Sequence, residues 1–305
     1  MKILITGGAG FIGSHIAQAY LNLGHEVHVL DNMYSGKKEN VPAGARLIEM
    51  DILDPAVPEL LKTERYAIIN HHAAQMDVRK SVADPLFDAR VNILGSINLI
   101  EHAIPHGLQK FIFASSGGTV YGEQTHFPST ENDSTHPISP YGVAKLTFEN
   151  YLFYYHTCFG LSYAALRYAN VYGPRQNPHG EAGVVAIFAR KLLLGEEAII
   201  NGAGLQTRDY VFVGDVVQAN IGALGDELLG AYNVGTGIET SVNTIYDLVQ
   251  KALNSPQPRK HGPAKTGEQQ RSVLSWDKLN KACGWTPQTT IETGIPLTME
   301  WFQKA

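Results

Sequence analysis

Tyr141 and Lys145 stand four residues apart within Ser139-Pro140-Tyr141-Gly142-Val143-Ala144-Lys145. Ser139 is suited to cap a helix and Pro140 to begin it. The helix predicted from Ser139 to Gly160 therefore puts both side chains on one face of its positive end. That pairing has a chemical use. A free tyrosine ionises near pH ~10, too high for a base at neutral pH. A neighbouring ammonium, a helix N-terminus and a cationic ring would each favour the phenolate. A Tyr-x-x-x-Lys also arises by accident, so the order of the surrounding motifs carries the reading. Upstream, Ser115-Ser116-Gly117-Gly118-Thr119 offers hydroxyls where an apolar strand-like run, Phe111 to Ala114, ends.

Such residues need elements to hold them, and the chain opens with one. Ile3 to Ile5 is an apolar run of strand type that stops at Gly7-Gly8-Ala9-Gly10-Phe11-Ile12-Gly13. A 3.6-period pattern follows, through Ile16, Ala19, Tyr20 and Leu23, with Gly24 placed as a helix C-cap. The glycines allow a tight turn, close approach of a pyrophosphate, and close packing of helix on sheet. A second strand, Val27 to Leu30, ends in Asp31 at roughly 20 residues beyond the glycines, where an acid binds an adenosine ribose. The acid favours NAD over its 2′-phosphorylated form. Asn32, Ser35 and Gly36 could add hydrogen bonds, while Lys37 and Lys38 leave the phosphorylated cofactor open.

The strands and helices continue to alternate. Arg46 to Ile52 predicts a third strand, with Asp51 and Ile52 placed to take an adenine's amino group and face. Tyr66 to Asn70 predicts a fourth, running into His71-His72-Ala73-Ala74-Gln75. Adjacent histidines raise the question of a metal, but strand neighbours point to opposite faces and no Cys/His/Asp cluster accompanies them. Lining of a cofactor groove is the favoured reading, with no metal. A helix from Asp84 to His106 carries Asn92 in an apolar face, as a satisfied structural amide or as a ligand to active-site backbone. Leu166 to Tyr168 predicts a sixth strand and Val184 to Leu194 a helix. Gln206 to Val213 is expected to return the chain to the sheet, and Asp215 to cap another helix.

The 305 residues suit one or two domains, and the net charge of −5 gives no sign of nucleic-acid or membrane partners. Two distant cysteines suggest neither disulfides nor zinc, and a reducing cytoplasm fits. No secretory signal or membrane-length apolar run is apparent.

Together these residues resemble the extended short-chain dehydrogenase/reductase family, and within it the NAD-dependent nucleotide-sugar epimerase/dehydratases. The resemblance spans the chain. It rests on Thr6 to Gly13, Asp31-Asn32, Asp51-Ile52, His72-Ala73-Ala74, Asn92, Tyr141 to Lys145, Leu166 to Pro174 and Gln206 to Asp215. It implies an α/β fold: a Rossmann-type doubly wound parallel sheet with a smaller C-terminal α/β substrate-binding domain. Residues 1–168, with a return near 211–236, would bind NAD, and 169–210 with 237–305 a nucleotide sugar. The implied cofactor contacts are Gly7, Gly10, Phe11, Ile12, Gly13, Asp31, Asn32, Ser35, Gly36, Asp51, Ile52, His72, Ala73, Ala74, Gln75, Asn92, Ala114, Ser115, Tyr141, Lys145 and Tyr168. The implied substrate contacts are Ser116, Gly117, Thr119, Tyr141, Asn170, Val184, Val185, Asn201, Arg208, Tyr210, Lys265, Glu268, Arg271 and Ser272. Relatives carry Arg-x-Gly-acid late in the chain; here Lys265-Thr266-Gly267-Glu268 stands there, with Arg271 as a substitute for the diphosphate contact.

The Ser-rich element separates reactions. In 4,6-dehydratases it resembles Thr-Asp-Glu ahead of Val-Tyr-Gly, and UDP-glucuronate decarboxylases carry a Glu. Gly117-Gly118-Thr119 has no carboxylate, which leaves reversible oxidation at C4 of a UDP-hexose, with Tyr141, Lys145 and Ser116 as catalytic residues. The 4-epimerases usually carry Ser or Thr where Gly117 stands, so Ser116, Thr119 or a water must reach the sugar O4. Ser272 falls at a size-gating position, and a small residue there implies tolerance of N-acetylated sugars. The rival readings are a UDP-glucuronate 4-epimerase, a 4,6-dehydratase with unusual acids, and a non-catalytic NAD-binding member of the fold. Phe148, Tyr151, Phe153, Tyr154 and Tyr155 exceed one buried face, pointing to a homodimer through a four-helix bundle or to surface aromatics over the second domain.

Overall fold

The computed structural model describes residues 1–178, 183–264 and 269–304. The first half alternates as predicted: β1 (Lys2–Thr6), α1 (Phe11–Asn22), β2 (Glu26–Asp31), β3 (Arg46–Glu49), α2 (Val57–Glu64) and β4 (Ile68–His71). Then come α3 (Val78–Ala83), α4 (Pro85–Ala89), a π-helical turn (Arg90–Leu94), α5 (Gly95–Ala103), β5 (Lys110–Ser116), α6 (Gly117–Val120), α7 (Pro140–Phe159) and β6 (Ser162–Tyr168). Asp84 and Ser139 cap α4 and α7 through their side chains, each followed by proline. The predicted Asp84 to His106 helix is thus interrupted at Asn92 by a wider turn, and the third strand ends before Asp51 and Ile52.

Seven parallel strands form the sheet, in the order β10-β6-β5-β4-β1-β2-β3, where β10 is Gly230–Val234. The winding reverses between β1 and β4, which opens a crevice at the carboxyl ends of the strands. Alternation on β1 divides the core: Ile3 and Ile5 pack with Ile16, Tyr20 and Val216 on one face, while Leu4 packs with Leu61, Leu99 and Phe148 on the other. A polar knot crosses the first face. Asn70 donates to Tyr20 and Asn220, and Asn220 donates to Tyr168, tying β4, α1 and β6 to the helix Val213–Gly222.

The rest of the chain comprises β7 (Asn170–Tyr172), α8 (Val184–Leu193), β8 (Ile199–Asn201), β9 (Thr207–Phe212), α9 (Val213–Gly222), β11 (Glu239–Ser241), α10 (Val242–Leu253), β12 (Lys260–Gly262), α11 (Asp277–Cys283) and α12 (Ile291–Lys304). A third core of Tyr172, Phe188, Tyr246 and Ile295 joins α8, α10 and α12. Two expectations are corrected here. The Gln206 to Val213 segment does not rejoin the main sheet: β9 lies between β11 and β7 in a separate three-stranded sheet, and β10 makes the return. Asp215 does not cap α9, which starts at Val213; its carboxylate accepts from the backbone of Gln288 and Thr289 and anchors the approach to α12. Among the described residues no helix is long and apolar enough to cross a membrane.

Candidate active site

Because the strands run parallel, the segments after Thr6, Asp31, His71, Ser116 and Tyr168 all emerge along one edge of the sheet. The glycine turn is shaped by close contact. Gly7 has φ +68°, and a Cβ there would lie 2.6 Å from the Ala73 nitrogen. At Gly13 a Cβ would lie 2.5 Å from the Gly7 carbonyl oxygen. Gly10, the N-cap of α1, supplies no side-chain bond, and the first turn, with Phe11 and Ile12, holds no acid. Asp31 is buried and accepts from the backbone of Ala9 (3.0 Å) and Met33 (2.9 Å). Burial raises its carboxyl above the ordinary range, and those two bonds oppose the shift. Gly36 lies against Asp31, beside Ser35; Asn32 donates to Asp51, and Ile52 is buried next to them.

The segment after β4 is fixed in two ways. Asn92 accepts from the Gln75 nitrogen and donates to the Gln75 carbonyl, each at 2.9 Å, so its amide is satisfied and bonded to the backbone of the segment after β4. His71 is buried on a chain of hydroxyls: Ser96 donates to the Asn92 carbonyl, and His71 bridges Ser96 Oγ (2.8 Å) and Thr6 Oγ1 (2.6 Å). Thr6 in turn accepts from the Ala73 nitrogen, which leads into Ala74. Burial holds His71 well below its ordinary pKa and His72 at about 3, with the Lys145 charge adding to both shifts. His72 stacks on Tyr168, with ring centroids 6.0 Å apart. Among the described residues no group of three or more His, Cys, Asp or Glu could hold a metal ion.

Lys145 is buried one helical turn beyond Tyr141, with Nζ 5.6 Å from that ring's centroid and 4.7 Å from the Phe113 ring. It donates to the Ala114 carbonyl at 2.8 Å. Burial lowers its pKa to about 8, with Asp88 and Glu149 opposing. Ser115 donates to Glu149, which also takes a bidentate pair from Arg167. Arg167 reaches on to the Tyr121 hydroxyl. The sequence reading missed this buried pair and Asp88. Its one signal was a charged residue at four-residue spacing, Glu149 after Lys145 and Asp88 before Asn92, on otherwise apolar helices.

Ser116 precedes α6, and its hydroxyl finds no partner among the described residues; Thr119 Oγ1 turns back to the Ser116 carbonyl at 3.5 Å. Gly117 leaves no room for a side chain, so the Ser or Thr expected there from the resemblance would not fit without movement. A Cβ there would lie 2.3 Å from Leu274 Cδ1 and 3.1 Å from the Arg167 carbonyl oxygen. Leu274 is held in turn by Asp209, whose buried carboxylate accepts from the backbone of Thr236, Gly237 and Leu274, while Asp209 N donates to the carbonyl of buried Ser272. Asn170 begins β7 near Gly118. Val184 and Val185 start α8, Asn201 ends β8, and Arg208 and Tyr210 lie on β9. Arg208 bonds the neighbouring Thr207 carbonyl. Arg271 is committed to Glu239 at 2.6 Å and covers the Phe127 ring at 4.1 Å. Lys265 and Glu268 lie outside the described residues.

A glycine-turn crevice with a terminal acid, joined to a Tyr–Lys pair, defines a dinucleotide-dependent enzyme of the short-chain type. The family profile described as the NAD dependent epimerase/dehydratase family matches residues 3–235, and the chain belongs to that family. It is similar to the UDP-glucose 4-epimerase of Mycolicibacterium smegmatis, at 41% identity over 99% of each chain. It also resembles the Thermotoga maritima UDP-glucose 4-epimerase solved with UDP-glucose, at 45% identity and a TM-score of 0.96, covering 100% and 99% of the two chains. The Thermus thermophilus UDP-glucose 4-epimerase, in complex with NAD, gives 43% identity and a TM-score of 0.94 over 100% of both chains.

The contact at Gly117 yields a test. Gly117→Ser forces Leu274 out of its seat, at an expected cost of about 1–3 kcal/mol. Combining it with Leu274→Ala should return part of that loss, read as a coupling in urea unfolding. An unaltered stability in the serine variant would mean that Leu274 does not fill the site.

Proposed function

We propose that this enzyme is an isomerase that epimerises C4 of a UDP-hexose, UDP-glucose or UDP-galactose, through a transient 4-keto sugar with NAD as resident cofactor. The observation that carries the reading is the Tyr141–Lys145 pair on α7, which packs on β5, the strand that ends at Ser116, with no carboxylate at 117–119. The full-length likeness to UDP-glucose 4-epimerases supports it. Without an acid at 117–119, elimination of water lacks its proton donor and acceptor, so a 4,6-dehydratase is disfavoured.

The crevice fits the dinucleotide. The N–H groups at the start of α1 lie beneath a turn too tight for side chains, suited to a diphosphate. Asp31 would take a ribose hydroxyl, and the Asp51–Ile52 corner the adenine. His72, Ala73, Tyr168 and Lys145 would flank the nicotinamide half. When bound, NAD would supply the hydride acceptor for C4 and then the hydride donor, and would end unchanged. Tyr141 takes the 4-hydroxyl proton as the keto sugar forms and returns it after the sugar presents its other face. Lys145 stabilises the phenolate, and Ser116 orients O4. General-base help of this kind is worth roughly 10²–10⁴ in rate. Asn170 and Arg208 would hold the diphosphate, with Val184, Val185, Asn201 and Tyr210 around the uridine side. Residues 1–168 with 211–236 form the cofactor part of this reading, and 169–210 with 237–305 the sugar-nucleotide part. The small Ser272 extends the substrate range to N-acetylated hexoses.

Two associations belong to the same reading. Phe148 and Tyr155 are core residues, whereas Tyr151, Phe153, Tyr154 and Phe159 on α7 and Leu86 and Leu94 near α4 are exposed, a surface suited to a two-fold four-helix bundle. The exposed free Cys158 suits a reducing cytoplasm.

An NMR time course with UDP-glucose, UDP-GlcNAc and UDP-glucuronate, offered separately, should show the 4-epimer of the first two without net NADH. Tyr141→Phe should lower turnover by at least ~10²-fold. A 4-keto-6-deoxy product would overturn the assignment, and turnover confined to UDP-glucuronate would make this the uronate epimerase. kcat/KM should fall above about pH 8, as the Lys145 ammonium deprotonates. A flat profile to pH 10 would contradict that role. Light scattering at micromolar concentration should report a dimer, and a monomer alone would remove the bundle.

A further inference from the structure

Asp88, on α4, is the buried charge that the reaction scheme above leaves without a purpose. It is 1% exposed. One carboxylate oxygen, Oδ1, accepts from Gln75 Nε2 at 2.9 Å and Asn92 Nδ2 at 3.0 Å. The other, Oδ2, is buried and has no partner among the described residues. Both bonds to Oδ1 come from amide N–H donors, which suit a carboxylate acceptor. Burial raises its pKa, while Gln75, the Lys145 charge and Asn92 oppose that rise.

The counterpart lies on the helix packed against it. α4 and the π-helical turn both contact α7, which carries Lys145. The Lys145 ammonium has three N–H donors, and its one hydrogen bond among the described residues goes to Ala114. Glu149 is the nearer carboxylate in sequence, but it is spent on Arg167 and Ser115. The Glu149–Arg167 pair is internally balanced. Of the other groups facing Lys145, Tyr141 is the reacting phenol, and His71 and His72 on β4 are held neutral. On α3 and the π-helical turn, Arg79 and Arg90 are exposed, the half-buried Lys80 lies over the Tyr34 and Phe87 rings, and Glu101 on α5 takes the Tyr155 hydroxyl. α6 carries no titratable side chain. Without Asp88 this interior would hold one uncompensated positive charge.

We propose that Asp88 is a positioning residue of the reaction: its carboxylate is the fixed counter-charge that keeps Lys145 an ammonium while Tyr141 cycles its proton. The same side chain grips Gln75 and Asn92, so it ties that charge to the backbone edge of the cofactor crevice. The inference rests on the catalytic role given to Lys145 under the proposed function.

The test is the pH profile of the holoenzyme. Asp88→Asn keeps the shape of the side chain but removes its charge, and the alkaline limb of kcat/KM should move down by roughly one unit, the low end of what one nearby opposite charge produces. Asp88→Glu should hold the limb near its original place even if turnover drops. A purely structural role would lower activity at every pH and leave the limb unmoved, which would overturn the proposal. A second measurement needs no variant. In wild-type holoenzyme labelled in lysine and aspartate, the Lys145 side chain and the Asp88 carboxyl carbon should show a shared NMR titration step. An Asp88 carbon that stays flat through the Lys145 step refutes the pairing. A shared step in an enzyme that does not epimerise would sustain it and indict the functional reading instead.

Discussion

A buried ammonium constrains this structure more than any other single group. Carrying a charge out of water is costly unless the interior supplies partners, and Lys145 finds a carbonyl, two aromatic faces and two carboxylates in its neighbourhood. The Ala114 carbonyl comes from β5, the Phe113 ring from the same strand, and Glu149 from the next turn of α7. Arg167 on β6 then balances Glu149, so the central strands and the helix over them share one set of charges. Tyr141 is aligned because α7 is started by Ser139 and Pro140 just where β5 delivers Ser116 to the same edge.

The second constraint is close approach of backbone. The crevice at the winding reversal stays open because glycine turns, not side chains, surround it: Gly7 presses on Ala73, Gly13 on Gly7, and Gly117 on Leu274. The last contact couples the two parts of the protein. Asp209, in the second sheet, fixes Leu274, and Leu274 occupies the space that a larger residue at 117 would need. The same Asp209 ties in the segment around Ser272, since its backbone N–H donates to the Ser272 carbonyl.

Much of this was legible in the chain. β1, the glycine turn, α1 and Asp31 follow from period and punctuation, and α7 was predicted as 139–160 against Pro140–Phe159 because its cap, proline and terminal glycine are all local signals. Local signals do not choose partners. The strand at Thr207–Phe212 has an ordinary strand pattern, yet nothing in it says which sheet it joins. Asp215 looked like a cap because it opens a helical segment, but the backbone it serves lies more than seventy residues away. Glu149, Arg167 and Asp88 were passed over for the same reason: their meaning comes from strand order and helix packing, which bring distant charges together. Arg271 offered a free guanidinium in sequence and is paired with Glu239 in space.

The central claim, that C4 is oxidised and reduced again on the same enzyme while Tyr141 handles only the hydroxyl proton, is tested most directly by isotope retention. UDP-glucose deuterated at C4 would be converted by the holoenzyme in ordinary water, and the label in UDP-galactose read by mass spectrometry and NMR. Full retention of deuterium at C4 is the predicted result. Loss of the label to solvent would mean that a carbon-bound proton is exchanged through an acid–base route, and the account built on Tyr141 and Lys145 would be wrong.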